Sequence, residues 1–120
     1  MKAFIISTIL FALLISAIFG NALYVKRVSE RIISESEQIQ KENYEPKLAN
    51  DLEKYWLKHR SFVGLSVGHE ELDLISQTII SLKACCETGS IADASVYVLI
   101  LQDAAEEVGR HEEVSFENLF

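Results

Sequence analysis

Proline is almost missing from this chain. Its single copy, Pro46, leaves long helices free to run on either side and marks one place where a helix has to start or stop. Cysteine is nearly as scarce, for Cys85 and Cys86 are the only two and they are adjacent. A bridge between neighbours is strained and rare, so no disulfide framework can hold the fold, and two thiols do not fix a redox compartment. Side by side on a helix they point in different directions, and at least one is expected to fill core space. Charge is absent from residues 3–25. Basic residues are nearly absent from the far half: residues 61–120 hold two Lys or Arg against eleven Asp or Glu, whereas residues 26–60 hold eight against seven. Such a surface repels phosphate backbones and anionic headgroups, which argues against nucleic acid as a partner and leaves cationic partners or metal ions as the better fit.

Catalytic signatures are lacking as well. There is no Gly-x-Ser-x-Gly, no glycine-rich phosphate loop and no cofactor fingerprint, and the serines fall in caps, turns or the apolar run. Gly64 and Gly68 lack the strand context that would make their spacing informative. The expectation is a chain with no catalytic residues and no cofactor.

What is present begins with an apolar run from Phe4 to Phe19, interrupted only by Ser7, Thr8 and Ser16. At ~1.5 Å per residue the uncharged stretch reaches across a ~30 Å hydrocarbon core. Lys2 precedes it and Lys26, Arg27 and Arg31 follow, placing cations where both ends meet headgroups. The competing reading is a signal peptide cleaved after Ala22, since Gly20 and Ala22 are small. Against cleavage, the run exceeds a usual signal core and helix-compatible sequence continues through Tyr24, Val28, Ile32 and Ile39. The cation count alone leans towards a cytoplasmic domain, but the short leader resembles an uncleaved export signal, and the soluble part is expected outside the cytoplasm at the cell membrane.

Beyond the run, residues 26–45 carry few apolar side chains and pair Arg31 with Glu35 at helical spacing, which reads as a solvated stalk. A break is expected near Asn43 to Glu45, with a new helix from Pro46 to about Leu65. Leu48, Leu52, Tyr55, Trp56, His59, Phe62 and Val63 recur at steps of three and four, which predicts one buried stripe. A third helix opens on Glu70, Glu71 and Asp73, buries Leu72, Ile75, Ile79, Leu82 and Cys86, and ends at Gly89. A fourth, capped by Ser90, runs through Ile91, Ala94, Val98, Leu101, Ala105 and Val108 to a stop at Gly109. Ser115 then starts a short final turn with Phe116, Leu119 and Phe120, folded back as a lid. The predicted architecture is all-α: a transmembrane anchor over 1–25, a helical stalk over 26–45, and a small antiparallel three-helix bundle over 46–120 with a short C-terminal helix.

The opening Met-Lys-Ala-Phe-Ile-Ile, Tyr55-Trp56 followed by Lys58-His59, His69-Glu70-Glu71-Leu72-Asp73, and the ending Val114 to Phe120 together resemble the domain-of-unknown-function family numbered 4363. The resemblance covers nearly the whole chain. It implies a membrane-anchored helical protein of Gram-positive bacteria and brings no activity, substrate or cofactor with it.

Among candidate ligating groups, His69 and Asp73 share one helical face, and His59 lies on the preceding helix; two His and a carboxylate could hold zinc or another divalent ion. The plainer reading is that His69 and Glu70 sit at a helix start, Asp73 meets its dipole, and His59 borders the aromatic stripe. His111, Glu112 and Glu113 would join such a site only if the last helix ends beside it. Two functional expectations follow. The first is a non-enzymatic, membrane-anchored interaction module that binds another membrane or envelope protein. The second is an extracytoplasmic metal-binding or sensing domain built on His59, His69 and Asp73. Self-association through the span adds a homo-oligomer to the partners considered, with Ser16 and Gly20 as a weak small-residue pair.

Overall fold

The computed structural model describes residues 1–119, and their side chains as far as Arg110. The described chain is all helix: α1 (Lys2–Lys41), α2 (Pro46–Val63), α3 (His69–Thr88) and α4 (Ile91–Leu119). The breaks fall where the turn chemistry is. Pro46 opens α2, and ahead of it Asn43 and Tyr44 take positive φ of 57° and 59°. Asn tolerates the left-handed region; Tyr44 does not do so readily, and it is held there by its half-buried ring and by its amide, which donates to the Ile39 carbonyl at 2.8 Å. Gly89 caps α3 at φ 73°, which returns the Ser90 amide to the Cys85 carbonyl at 2.9 Å.

The expected stalk is part of the core. Val25, Val28, Ser29, Ile32, Ser36 and Ile39 are all buried, with Val25 and Ile39 at 0% exposure, and α1 packs more extensively on α4 than any other pair of helices packs together. Val25, Ser29, Ile32, Ser36 and Ile39 are spaced by four, three, four and three, the heptad row of a helix that buries a seam. Ser29 and Ser36 hid that row because a small hydroxyl reads as solvent-facing. Inside the seam each one is satisfied: Ser29 Oγ donates to the Ala105 carbonyl, and Ser36 Oγ donates to Ile33 O at 2.7 Å while accepting from Gln102 Nε2 at 3.1 Å.

Gly109 does not stop α4. The helix continues through it to Leu119, so the separate terminal turn expected after Ser115 is instead the end of one long helix; Phe120 lies outside the described residues. Glycine serves here as a close approach, since a Cβ at position 109 would lie 3.0 Å from Ser29 Oγ. Two further corrections concern side chains. Phe62, counted in the buried stripe of α2, is 60% exposed, and Ile91 at the head of α4 is also exposed. Leu52, Trp56 and Val63 do line the core, as do Leu72, Ile75, Ile79, Leu82 and Cys86 of α3. The Trp56 indole donates to Ser76 Oγ at 2.8 Å, so its polar edge is met while the ring is buried.

Up to Tyr24 no residue of α1 is buried, and this is the one helix among the described residues long and apolar enough to cross a membrane. At ~1.5 Å per residue its 40 residues span ~60 Å, which accounts for most of the 67 Å long axis.

These contacts separate a packed segment from a solvated one. In the detergent-solubilised full chain, Ile32→Ala should lower unfolding stability by about 2–5 kcal/mol, against about 0.5 kcal/mol or less for an exposed stalk position. At position 109, Leu should cost about 1–3 kcal/mol by overpacking against Ser29, whereas the same change in an open helix would gain up to about 1 kcal/mol over glycine. Urea titration followed by circular dichroism reads both.

Candidate functional site

The densest set of polar and aromatic groups lies between α1 and α2, where the packed part of α1 gives way to its exposed part. Tyr24, Arg31 and Glu35 fall on one side of α1; Tyr55, His59 and Phe62 face them from α2. The Tyr24 hydroxyl and His59 Nδ1 hydrogen-bond to each other, and the His59 ring lies 4.4 Å from that of Tyr55 between centroids. The Arg31 guanidinium sits over the Tyr55 ring at 5.0 Å and is held from its other side by Glu35, whose Oε1 accepts from Nε at 3.1 Å. Glu35 Oε2 is buried without a hydrogen-bond partner among the described residues. Phe62 closes the group with its edge 6.1 Å from Tyr24.

Local electrostatics keep this cluster neutral at its centre. Burial lowers the pKa of His59 below the ordinary histidine value, and the cations Lys58 and Arg31 push it the same way. Burial raises that of Tyr55, with Arg31 opposing. The arrangement ties α2 to α1 at the level where α1 leaves the bundle, through a hydrogen-bonded Tyr24–His59 pair that carries no charge.

Below it opens a cleft of about 570 Å³ lined by Ala17, Gly20, Asn21, Tyr24, Lys58, His59 and Phe62. A second, shallower hollow of about 410 Å³ is lined by Leu57, Arg60, Ser61, Gly64, Leu65, His69 and Leu72.

The three candidate metal ligands do not gather. Neighbours on α2 face opposite ways: His59 turns to α1, while Arg60 turns to α3 and holds Asp73 at 3.4 Å. Asp73 is therefore engaged by a cation, and His69 is an exposed first residue of α3. Among the described residues no three His, Cys, Asp or Glu side chains come together in a way that could hold a metal ion. The side chains of His111, Glu112 and Glu113 lie outside the described residues. Cys86 is buried and Cys85 half-buried, both as free thiols, and burial raises the pKa of Cys86.

Sequence reasoning missed the partners of His59. Arg31 and Glu35 do form the expected pair along α1, but that pair serves an aromatic face on another helix. The signal available was Tyr24 in register with the buried row, one residue before Val25.

The family model described as Domain of unknown function (DUF4363) matches residues 21–119. The chain belongs to this family. No curated protein and no solved structure matches it. The DUF4363 match starts at Asn21, at the upper edge of the apolar run, so it takes in the half of α1 that packs with α2 and α4 and leaves out the half in which no residue is buried. Tyr24, Arg31, Glu35, Tyr55, His59 and Phe62 all fall within it.

Because His59 is held neutral, the unfolded chain binds its proton at a higher pH than the folded one does. The stability from this environment is complete above about 6.5, the ordinary histidine pKa, and falls as the pH drops towards the lower folded value. The urea midpoint should decrease between pH 7.5 and 5.5, and His59→Gln should flatten that decrease.

Proposed function

We propose that this protein is a non-enzymatic, membrane-anchored interaction module, in which the first 25 residues cross the cell membrane and an antiparallel helical body outside the cytoplasm binds another membrane or envelope protein. The anchor is supported by the length, lack of charge and absence of any buried residue in the first half of α1. The antiparallel arrangement is supported by the contact pairs, whose numbers rise on one helix as they fall on the next: Tyr24 with His59 and Arg31 with Tyr55, Trp56 with Ser76 and Glu53 with Lys83, Ser29 with Ala105 and Ser36 with Gln102. The body has four helices in this reading, with the upper half of α1 as one of them.

The observation that carries the binding role is the outward face of α4. Val96 and Leu99 are 52% and 62% exposed, and Ile100 beside them in sequence is exposed as well. Ala92, Val96 and Leu99 follow at steps of four and three, so they form one face directed away from the buried row of Ala94, Val98, Leu101 and Ala105. Single apolar residues on a surface are ordinary, but a row of them on an otherwise acidic helix marks a contact face. A protein partner suits that face, since apolar contact with an acidic rim disfavours anionic lipid or nucleic acid.

The test uses the full-length protein in its native cells with two amine-reactive cross-linkers, one membrane-permeant and one not. An adduct formed by the impermeant reagent and reduced about tenfold by Val96→Glu with Leu99→Glu, in a protein whose helical signal is unchanged, is the expected result. An adduct seen only with the permeant reagent would reverse the orientation and keep the partner. Adducts between copies of this chain would replace the partner with self-association, and no adduct with either reagent would remove the interaction reading.

A further inference from the structure

The lower end of the bundle carries an apolar surface that points along the anchor. Leu65, at the tip of the α2–α3 connection, is 77% exposed, the highest value for a large apolar residue beyond Met1 and Phe4 at the start of the chain, and Phe62 one turn earlier is 60% exposed. Their level relative to α1 is given by contacts. Phe62 meets Tyr24 edge-on and lines one cleft together with Ala17 and Gly20. Those three α1 residues lie in its uncharged stretch, so wherever that stretch enters a bilayer, Phe62 enters at the same level. Since α2 descends towards the start of α1, Leu65 lies about one further turn down.

We propose that the α2–α3 connection is a membrane-inserting tip: Phe62 and Leu65 dip into the headgroup and acyl boundary of the same bilayer that α1 crosses, seating the bundle on the membrane surface. The inference rests on the reading of α1 as the anchor and adds a second point of contact. Three features fit lipid as the occupant. The connection satisfies its own backbone, with the amides of Gly64, Leu65, Ser66 and Val67 donating to the carbonyls of Arg60, Phe62, Val63 and Val63, so no open amide among these is carried into a dehydrated layer. Lys58 lines the cleft above Phe62 and Arg60 lies one turn above Gly64, placing cations at headgroup height with stems along apolar surface. Glu70 is exposed immediately beyond the connection and limits the depth to the boundary layer. The cleft shared by Ala17, Gly20 and Phe62 is then filled by an acyl chain.

Trp56 is the only tryptophan and is buried, so it gives a constant background against which an added tryptophan reads depth. Full-length protein is reconstituted in vesicles of phosphatidylethanolamine and phosphatidylglycerol, with lipid brominated either near the head or near the end of the acyl chain. Leu65→Trp should lose about half of its added emission with the head-proximal bromine and little with the distal one, while Leu10→Trp is quenched by the distal bromine and Glu42→Trp, at the opposite end of the bundle, by neither. Leu65, Leu10 and Glu42 are exposed, so these changes leave the core intact. An unquenched Leu65→Trp beside a quenched Leu10→Trp would overturn the inserting tip and leave the anchor standing. An unquenched Leu10→Trp would overturn the anchor and the tip with it. Quenching of Glu42→Trp would also overturn the proposal, because it would mean the bundle lies along the bilayer.

Discussion

The burial of one row on α1, Val25, Ser29, Ile32, Ser36 and Ile39, is the contact on which the rest of the structure depends. It brings α1 against α4, and with α2 and α3 connected in sequence between them, closes the ring of helices in which each touches two others. Four amphipathic helices have an apolar stripe each, and none is stable alone in water; the ring buries all four stripes at once. The serines in that row allow the backbones to approach closely, and Ala105 and Gly109 answer from α4 with equally small side chains. The seam therefore combines tight contact with polar groups whose partners are all inside it.

The same helix carries the opposite demand below Tyr24. There none of its residues is buried, and an uncharged surface of that size is uncomfortable in water. One continuous helix thus divides between two environments, and the Tyr24–His59–Tyr55 cluster marks the division. A neutral imidazole between two phenols suits such a boundary better than an ion pair would, since the desolvation of a charge is avoided while the Tyr24 hydroxyl and His59 Nδ1 partner each other. Arg31 and Glu35 stand about two and three turns further along α1 from Tyr24, where the Arg31 side chain is 58% exposed. Ion pairs so exposed orient side chains more than they stabilise the fold.

The proposed function lies on surfaces left over after the core is closed. Among the apolar residues left exposed, the outward row of α4 runs along the bundle and the tip of the α2–α3 connection lies at its end. In the proposed arrangement, a module seated on its membrane at one end and presenting an apolar helix face at the side would have a restricted orientation towards a neighbour in the same membrane. That restriction raises effective concentration and limits which face meets a partner. The DUF4363 match, which spans the folded body from Asn21 onward, places both surfaces within the family unit.

Much of this was written in the residues. Pro46 and Gly89 mark breaks because their backbone chemistry allows little else, the α3 and α4 stripes follow from helical spacing of large apolar side chains, and the uncharged start is legible from composition alone. What escaped were positions whose meaning depends on what lies opposite. Ser29 and Ser36 are core residues only because Ala105 and Gln102 meet their hydroxyls, and Gly109 is a packing contact because Ser29 fills the space a side chain would need. Phe62 is exposed because the side it occupies on α2 turns towards the exposed part of α1, and His59 is separated from Asp73 because adjacent residues on a helix point about 100° apart. Local propensity and periodicity act through neighbours in the chain, so the sequence by itself determined the helices and the breaks at Pro46 and Gly89, though not the passage of α4 through Gly109. Which faces pair, and so which polar groups are buried and which apolar ones are left free, was decided by contacts between residues such as Ser29 and Ala105, 76 positions apart, and only the tertiary structure holds those.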